Sequence, residues 1–207
     1  MKQIESSRLS GVVLIEPDVY SDDRGFFIET YHRDKFDRLP SAPFVQDNMS
    51  FSPHRGTIRG LHFQLPPYTQ AKLVHVLKGK VLDVIVDLRP NSGSYGLWES
   101  FELSEINHHL LYVPRGFAHG FQTDLPDTLV HYKCDNLYNK DSEGGIIWND
   151  PELNIPWPVE IPVLSPKDRT HPVFRDIVAS LPIDWSPELQ VRQANLQPVA
   201  LQHQNYE

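Results

Sequence analysis

The feature that most constrains the fold is a series of short segments in which apolar and polar residues alternate between turn residues. Residues 72–88 show this pattern most clearly, because Lys78 and Gly79 separate two alternating runs. Alternation places successive side chains on opposite faces of a strand, so these residues are predicted to form a β-hairpin. Further strands are predicted at segments bounded by Pro, Gly, Asp or Asn: residues 11–15, 25–31, 98–103, 110–113 and 128–134.

Helical patterns are scarce along the chain. Phe174, Ile177, Val178 and Leu181 recur at helical spacing, and residues 33–39 fit a short helical turn. Many short strands without long intervening helices predict an all-β fold, either a sandwich or a barrel. Both architectures protect the edges of a sheet, by double layering or by closure.

Length and composition limit the classes of protein to consider. The chain has 207 residues, of which 40% are hydrophobic and 22% charged, which excludes a disordered polyelectrolyte and a membrane protein. A net charge of -8 argues against a broad surface for nucleic acid or anionic membranes. The expected organisation is one domain at residues 1–187 and a polar, Gln-rich tail at residues 188–207. A single cysteine, Cys134, and no secretory signal predict a cytoplasmic protein.

Two segments crowd ionisable groups against apolar strand residues. The first is Arg-Gly-Leu-His-Phe-Gln at residues 59–64, followed by Lys72. The second, at residues 114–121, contains a Pro-x-Gly-x-x-His pattern that ends at His119. This pattern resembles the second motif of the cupin superfamily, which implies a double-stranded β-helix, or jelly roll, with a pocket inside one end.

The cupin resemblance makes a metal site the first hypothesis to weigh. Cupins often bind a metal through two His and a Glu of their first motif and a His of their second. Here Gln64 takes the place of the second His, and Lys72 takes the place of the carboxylate. A protonated lysine repels a divalent cation and offers it no lone pair. His62 and His119 alone are too few for a firm site, so no metal and no other cofactor is expected.

A pocket that holds His, Lys and Arg suits the removal of a proton beside a carbonyl group. Histidine supplies a base with an ordinary pKa near ~6.5, and a nearby cation stabilises the oxyanion that forms. A tyrosine on a facing strand can return the proton from the opposite side. The residue types therefore fit an enolisation that uses protein side chains alone.

Six motifs in register closely resemble those of the dTDP-4-dehydrorhamnose 3,5-epimerase family, and the likeness extends over residues 11–176. Their sequences are as follows: Asp-Arg-Gly-Phe-Phe at 23–27 with Glu29, Gln-Asp-Asn at 46–48, Arg-Gly-Leu-His-Phe-Gln at 59–64, Gly-Phe-Ala-His-Gly-Phe at 116–121, Tyr-Lys-Cys-Asp-Asn-Leu-Tyr at 132–138 and Ser-Pro-Lys-Asp at 165–168. The resemblance implies the conversion of dTDP-4-dehydro-6-deoxy-D-glucose to dTDP-4-dehydro-L-rhamnose by inversion at C3 and C5.

The resemblance also implies roles for individual residues. The base falls on His62, supported by Asp168, and the opposing acid falls on Tyr132, with Lys72 near the C4 keto oxygen. Tyr138 stacks on the thymine ring. The complete set implied to bind the sugar nucleotide is Arg24, Glu29, Gln46, Asp47, Asn48, Arg59, His119, Tyr138, Glu143 and Lys167. In a homodimer, Arg24 and Glu29 would act at the neighbouring subunit's site.

Other interpretations stay open from the sequence. A related enzyme that inverts only C3 or only C5 would use the same base and enolate. A non-catalytic or metal-binding cupin is a second alternative, and a secreted lectin is disfavoured by the missing signal. His62 and Tyr132, taken singly, also fit core positions. Six other histidines are assigned to surface or structural positions: His54, His75, His108, His109, His131 and His171.

Overall fold

The computed structural model describes residues 1–36, 39 and 43–186. The tail predicted at residues 188–207 lies outside this part of the chain, so the predicted domain division stays a prediction. Within the described residues, no helix has the length and apolar character that a membrane-spanning segment needs.

Strands dominate the described residues, as the alternating pattern predicts. In chain order they are β1 (Lys2–Glu5), β2 (Val13–Glu16), β3 (Val19–Asp22), β4 (Gly25–Ile28), β5 (Gln46–Ser52), β6 (Ile58–Gln64), β7 (Lys72–Lys78), β8 (Lys80–Asp87), β9 (Trp98–Ser104), β10 (Leu110–Val113), β11 (Phe117–Thr123), β12 (Thr128–Cys134) and β13 (Glu143–Gly145). The predicted helices reduce to a four-residue α1 (Phe174–Ile177) and single 3₁₀ turns at Arg33–Lys35 and Val178–Ser180. A further 3₁₀ turn lies at Lys140–Ser142.

The strands form two antiparallel sheets that enclose the main core. A six-stranded sheet has the order β1-β2-β10-β7-β12-β5, and a five-stranded sheet has the order β13-β6-β11-β8-β9. Val74 and Val130 of the first sheet pack with Ile85 and Phe121 of the second in one buried cluster. The all-β, jelly-roll prediction is confirmed, because two antiparallel layers share one apolar interior.

The hairpin predicted at residues 72–88 is wrong. Both of its strands exist, but β7 pairs with β10 and β12, whereas β8 pairs with β9 and β11. The turn at Gly79 therefore carries the chain from one sheet to the other. Alternation reports which face a side chain occupies, but it does not identify the strand's hydrogen-bonded neighbours.

Strand β8 is buried on both faces, which explains its nearly continuous apolar sequence. Val81 and Ile85 point into the core between the sheets. Val84 and Val86 point to the other side, where Trp185 and other residues of the C-terminal segment cover them. Burial on two faces holds the five-stranded sheet rigidly, and this sheet carries several of the predicted site residues.

Within the described part of the chain, strands β3 and β4 pair only with each other, in a small ribbon near the N-terminus. Its large apolar side chains face solvent: Tyr20 is 63% exposed, Phe26 63% and Phe27 67%. Met49, on the outward face of β5, is also 64% exposed. Adjacent exposed aromatic residues of this kind are typical of protein interfaces.

Candidate functional site

A cavity of about 230 Å³ opens between the two sheets. Its lining comes from five strands and from the segment before α1: Ser50, Arg59, His62, Lys72, His119, Phe121, Tyr132, Ser165, Lys167 and Asp168. A second cavity of about 130 Å³ shares His62, Lys72 and Tyr132 with the first. A wider depression of about 620 Å³ beside Arg89 and Arg115 is lined by none of the predicted site residues.

An irregularity in β6 brings two of the lining residues together. Arg59 and His62 are three positions apart, so a regular strand would point them to opposite faces. Their partners on β11 are Phe121 and His119, which are only two positions apart, so the register shifts between the two pairs. The extra residue in β6 acts as a β-bulge, and both side chains reach the cavity.

His62 and Asp168 form a closely coupled pair in the cavity wall. Nε2 of His62 lies 2.5 Å from Oδ1 of Asp168, and the Ser165 hydroxyl donates to Oδ2 at 2.7 Å. Burial alone would raise the pKa of Asp168, but hydrogen bonds from His62 and Ser165 outweigh it and lower the pKa. The ionised carboxylate therefore orients the imidazole, whose Nδ1 is left to accept a proton.

Lys72 and Tyr132 reach the cavity from the six-stranded sheet, opposite the strand that carries His62. Nζ of Lys72 lies 6.0 Å from the centroid of the Tyr132 ring. Burial lowers the pKa of Lys72, an effect opposed in part by Cys134, Asp83 and other acidic groups. Burial raises the pKa of Tyr132, so its phenol keeps its proton at neutral pH and can act as an acid.

His119 occupies the cavity wall beside a second buried carboxylate. Its Nε2 lies 2.9 Å from Oδ2 of Asp83, and the two side chains are 6% and 0% exposed. Burial lowers the pKa of His119, although the neighbouring Asp83 carboxylate acts in the opposite direction. Asp83 therefore fixes the orientation of the imidazole at the cavity surface.

The second cavity is bordered by a polar network that extends toward solvent. The Tyr138 hydroxyl donates to Oε2 of Glu143 at 2.8 Å, and Lys167 forms an ion pair with the same carboxylate. Gln46 accepts from the Tyr138 backbone N–H at 2.9 Å and donates to Asn48 at 3.1 Å. The Tyr138 side chain is 52% exposed, so its ring is open to contact from a ligand.

The structure gathers most of the predicted site residues around these two cavities, but it leaves three outside. Arg24 lies in the turn of the exposed ribbon, and Glu29 follows that ribbon. Asp47 is the middle residue of the predicted Gln-Asp-Asn motif on β5, and strand alternation directs it to the outer face. There it pairs with Lys133 at 2.8 Å. The expectation that Asp47 joins its two neighbours at the cavity is therefore not met within this chain.

Three of the residues that were not predicted form a hydrogen bond or ion pair with His119 or Asp168. Ser165 lies in a quoted motif, and its position three residues before Asp168 suits a supporting hydrogen bond. Asp83 lies between two core residues on the inward face of β8. A charged residue at such a position is the sequence signal that could have identified it. His171 was assigned to a surface or structural position; its side chain is 9% exposed and lies beside Asp168. Strand alternation gives no signal for His171, because it lies in an irregular segment.

Comparison with known proteins gives a consistent match over most of the chain. The model of the dTDP-4-dehydrorhamnose 3,5-epimerase family matches residues 6–176. A dTDP-4-dehydrorhamnose 3,5-epimerase from Methanothermobacter thermautotrophicus is 44% identical over 172 residues, which are 81% of this chain and 92% of the relative.

Solved structures match the fold as well. A dTDP-4-dehydrorhamnose 3,5-epimerase from Bacillus anthracis, with TDP and PPi bound, has 50% identity and a TM-score of 0.80 over 83% of this chain and 98% of that one. A dTDP-6-deoxy-D-glucose-3,5-epimerase from Legionella pneumophila, in complex with dTDP-4-keto-L-rhamnose, has 40% identity and a TM-score of 0.82. The match covers 87% of this chain and 97% of the Legionella chain.

Proposed function

The chain belongs to the dTDP-4-dehydrorhamnose 3,5-epimerase family, and from this premise we propose the reaction that its cavity performs. It inverts C3 and C5 of dTDP-4-dehydro-6-deoxy-D-glucose to give dTDP-4-dehydro-L-rhamnose, a step in the biosynthesis of dTDP-L-rhamnose. The observation that carries this conclusion is that His62 and Tyr132, from different sheets, line one cavity together with Lys72.

The first step is removal of a proton beside the C4 ketone. His62 takes the proton from the carbon, and the electron pair of the broken C–H bond moves onto the C4 oxygen as an enolate. The Lys72 ammonium stabilises the negative oxygen, while Asp168 stabilises the imidazolium that forms. Each charge that develops thus faces an opposite charge already held in place.

The second step returns a proton to the opposite face of the same carbon. Tyr132 donates its phenolic proton as the enolate collapses back to the ketone, so the centre is inverted. Solvent then removes the proton from His62 and restores the one on Tyr132; the His62 side chain is 31% exposed, which permits this exchange. Repetition at the other carbon completes the double epimerisation.

The nucleotide half of the substrate fits the polar groups of the two adjoining cavities. In the first cavity, Arg59 and Lys167 suit a diphosphate, because the guanidinium offers two donors at once and the ammonium adds a point charge. The open Tyr138 ring suits stacking on the thymine base. His119, held by Asp83, lies in the first cavity, where a sugar hydroxyl or phosphate can contact it.

The proposal includes a homodimer in which the ribbon of one chain completes the site of the other. Support comes from the exposed aromatic residues of the β3–β4 ribbon and from Arg24 and Glu29, which lie away from their own chain's cavity. The cytoplasm is the proposed compartment, since the buried Cys134 thiol suits a reducing environment.

The test is to incubate the enzyme with dTDP-4-dehydro-6-deoxy-D-glucose in deuterium oxide and to locate the label in the product by NMR. Deuterium at both C3 and C5 is expected, because each inversion exchanges one carbon-bound proton with solvent. Label at one carbon only identifies a mono-epimerase instead. No label at either carbon contradicts the proposed enzyme activity.

A further inference from the structure

Three ligand atoms converge where the segment before α1 meets β6. They belong to His62, Asp168 and His171, and all lie within 4.8 Å of one another. Oδ1 of Asp168 is 2.5 Å from Nε2 of His62 and 3.7 Å from Nε2 of His171. The rings of the two histidines meet edge to face, with centroids 5.5 Å apart. Two imidazoles and one carboxylate are a donor set that zinc and related transition metals favour.

The His171 ring packs closely against β13, and its Nε2 has no hydrogen-bond partner among the described residues. Its side chain is 9% exposed, and this nitrogen is buried. Gly145 of β13 provides the space for the ring, since a Cβ there would lie 2.4 to 2.5 Å from three of its atoms. A buried imidazole nitrogen without a partner is costly unless something else binds it.

We propose that His62, Asp168 and His171 form a binding site for Zn²⁺ or a similar transition-metal ion, and that an ion bound there inhibits the epimerase. In a tetrahedral zinc site, ligand atoms about 2.0–2.2 Å from the ion lie roughly 3.3–3.5 Å from each other. Oδ1 of Asp168 lies 2.5 Å from Nε2 of His62 and 3.7 Å from Nε2 of His171, so small side-chain movements bring the three atoms to this spacing. Asp168 keeps its hydrogen bond from Ser165, which supplies a supporting contact outside the ligand set. His62 and Asp168 both line the cavity, so water has access to the site from that side.

Metal binding would remove the base by fixing its tautomer. In the metal-free enzyme the Nε2 proton of neutral His62 lies toward Asp168, and Nδ1 holds the lone pair that takes the substrate proton. When Nε2 becomes a metal ligand, the proton of the neutral ring moves to Nδ1. Nδ1 then carries a proton and has no lone pair to accept another, and the Asp168 carboxylate is shared with the cation.

Binding is tested first without reference to activity. Protein purified without a polyhistidine tag and stripped with a chelator is titrated with Zn²⁺ by calorimetry, as wild type, His171→Gln, His171→Ala and His54→Gln. His54 is an exposed histidine outside both cavities, so its variant is the matched control. Loss of even a supporting residue weakens metal binding roughly 10–100-fold, so we expect at least about a 100-fold loss in both His171 variants.

Equal zinc affinity in wild type and in both folded His171 variants would overturn the proposed site, as would no binding to wild type. Circular dichroism identifies the folded variants. Mg²⁺, which prefers oxygen ligands, should bind far more weakly than Zn²⁺, and equal binding would also contradict the proposed site.

The inhibitory consequence rests on the proposed function and is measured separately. Solvent deuterium exchange into the substrate should fall as the site fills with Zn²⁺ and recover when a chelator removes the ion. Each variant is compared with its own metal-free rate, and the His171 variants should require a correspondingly higher zinc concentration. Full deuterium exchange in the zinc-loaded wild type would contradict the proposed inhibition. Absent exchange in the metal-free wild type would instead contradict the proposed function, and the calorimetric comparison would still decide the metal site.

Discussion

Lys72 and Tyr132 lie on neighbouring strands, and burial changes their acidity in opposite directions. It lowers the pKa of Lys72 and raises that of Tyr132, because in each case it disfavours the charged form. Lys72 therefore loses its proton at a lower pH, and Tyr132 at a higher pH, than an exposed residue of the same type. Both shifts matter because the enolate needs a cation and the phenol must stay protonated.

A pH profile tests the assignment of Lys72. As pH rises through its lowered pKa, the ammonium becomes neutral, so kcat/KM should fall in a range below the ordinary lysine pKa of 10.5. Lys72→Arg should move this decline to higher pH, since a guanidinium stays charged. Lys78→Arg, at an exposed position of the same strand, is the control and should keep the wild-type profile. If kcat/KM of Lys72→Arg falls over the same pH range as in the wild type, a group other than Lys72 causes the fall.

At the level of single elements, the bulge in β6 decides whether the site exists. Gly60 lies within it at a φ of +111°, and a Cβ at this position would be 2.7 Å from the Cα of Gly120 and 2.7 Å from the carbonyl oxygen of His119. Glycine is therefore needed both for the backbone conformation and for the close approach of β11.

We expect Gly60→Ala to lower the free energy of unfolding by about 2–4 kcal/mol, from backbone strain and steric overlap together. Gly93→Ala is the matched control, because a Cβ there meets nothing within 4 Å and its φ lies outside the strained range. Its change should stay within about 0.5 kcal/mol. Urea denaturation measures both. Equal stabilities of the two variants would show that the approach of β6 to β11 tolerates a methyl group.

The elements also show what the sequence could and could not reveal. Alternation located β7, β8, β9, β10 and β12 closely, because one face of a strand must be apolar wherever it borders a core. The same signal led to the wrong hairpin at Gly79, since pairing is decided by distant strands. The alternation of apolar and polar residues did not predict the bulge that brings Arg59 and His62 to the same cavity. Those two residues were identified because ionisable groups are crowded at residues 59–64, and the family's motifs then implied their roles. His171 was not identified, because its place beside Asp168 depends on tertiary contact alone.

At the scale of the whole molecule, the two-chain site makes a specific prediction. Arg24→Ala and His62→Ala should each abolish most activity, because each removes one half of a shared site. Random pairing of the two variants makes half of all dimers mixed, and each mixed dimer has one intact site. Co-expression should therefore restore about a quarter of the wild-type rate.

The control for this experiment is co-expression of His62→Ala with Tyr132→Phe, two residues that line the cavity of the same chain. In their mixed dimers every site carries a defect, so activity should not return. Mass spectrometry of the intact dimers verifies that mixed species form. Mixed Arg24→Ala and His62→Ala dimers without recovered activity would contradict a contribution of Arg24 to the neighbouring site.

The two-layer architecture brings the proposed base and acid together, because His62 on β6 and Tyr132 on β12 meet across one cavity from opposite sheets. If they act from opposite faces of the sugar, removing the phenol should separate proton exchange from inversion. In Tyr132→Phe, His62 can still deprotonate the substrate, exchange its proton with solvent and return a deuteron to the same face.

The decisive measurement is therefore the ratio of deuterium uptake to inversion in Tyr132→Phe, followed by NMR in deuterium oxide. Recovered substrate of unchanged configuration should gain deuterium at least about 10²-fold faster than inverted product appears, the effect expected from the loss of one acid–base group. His62→Ala should show neither exchange nor inversion. Inversion at the wild-type rate in Tyr132→Phe, or loss of exchange together with inversion, would contradict the opposed base and acid.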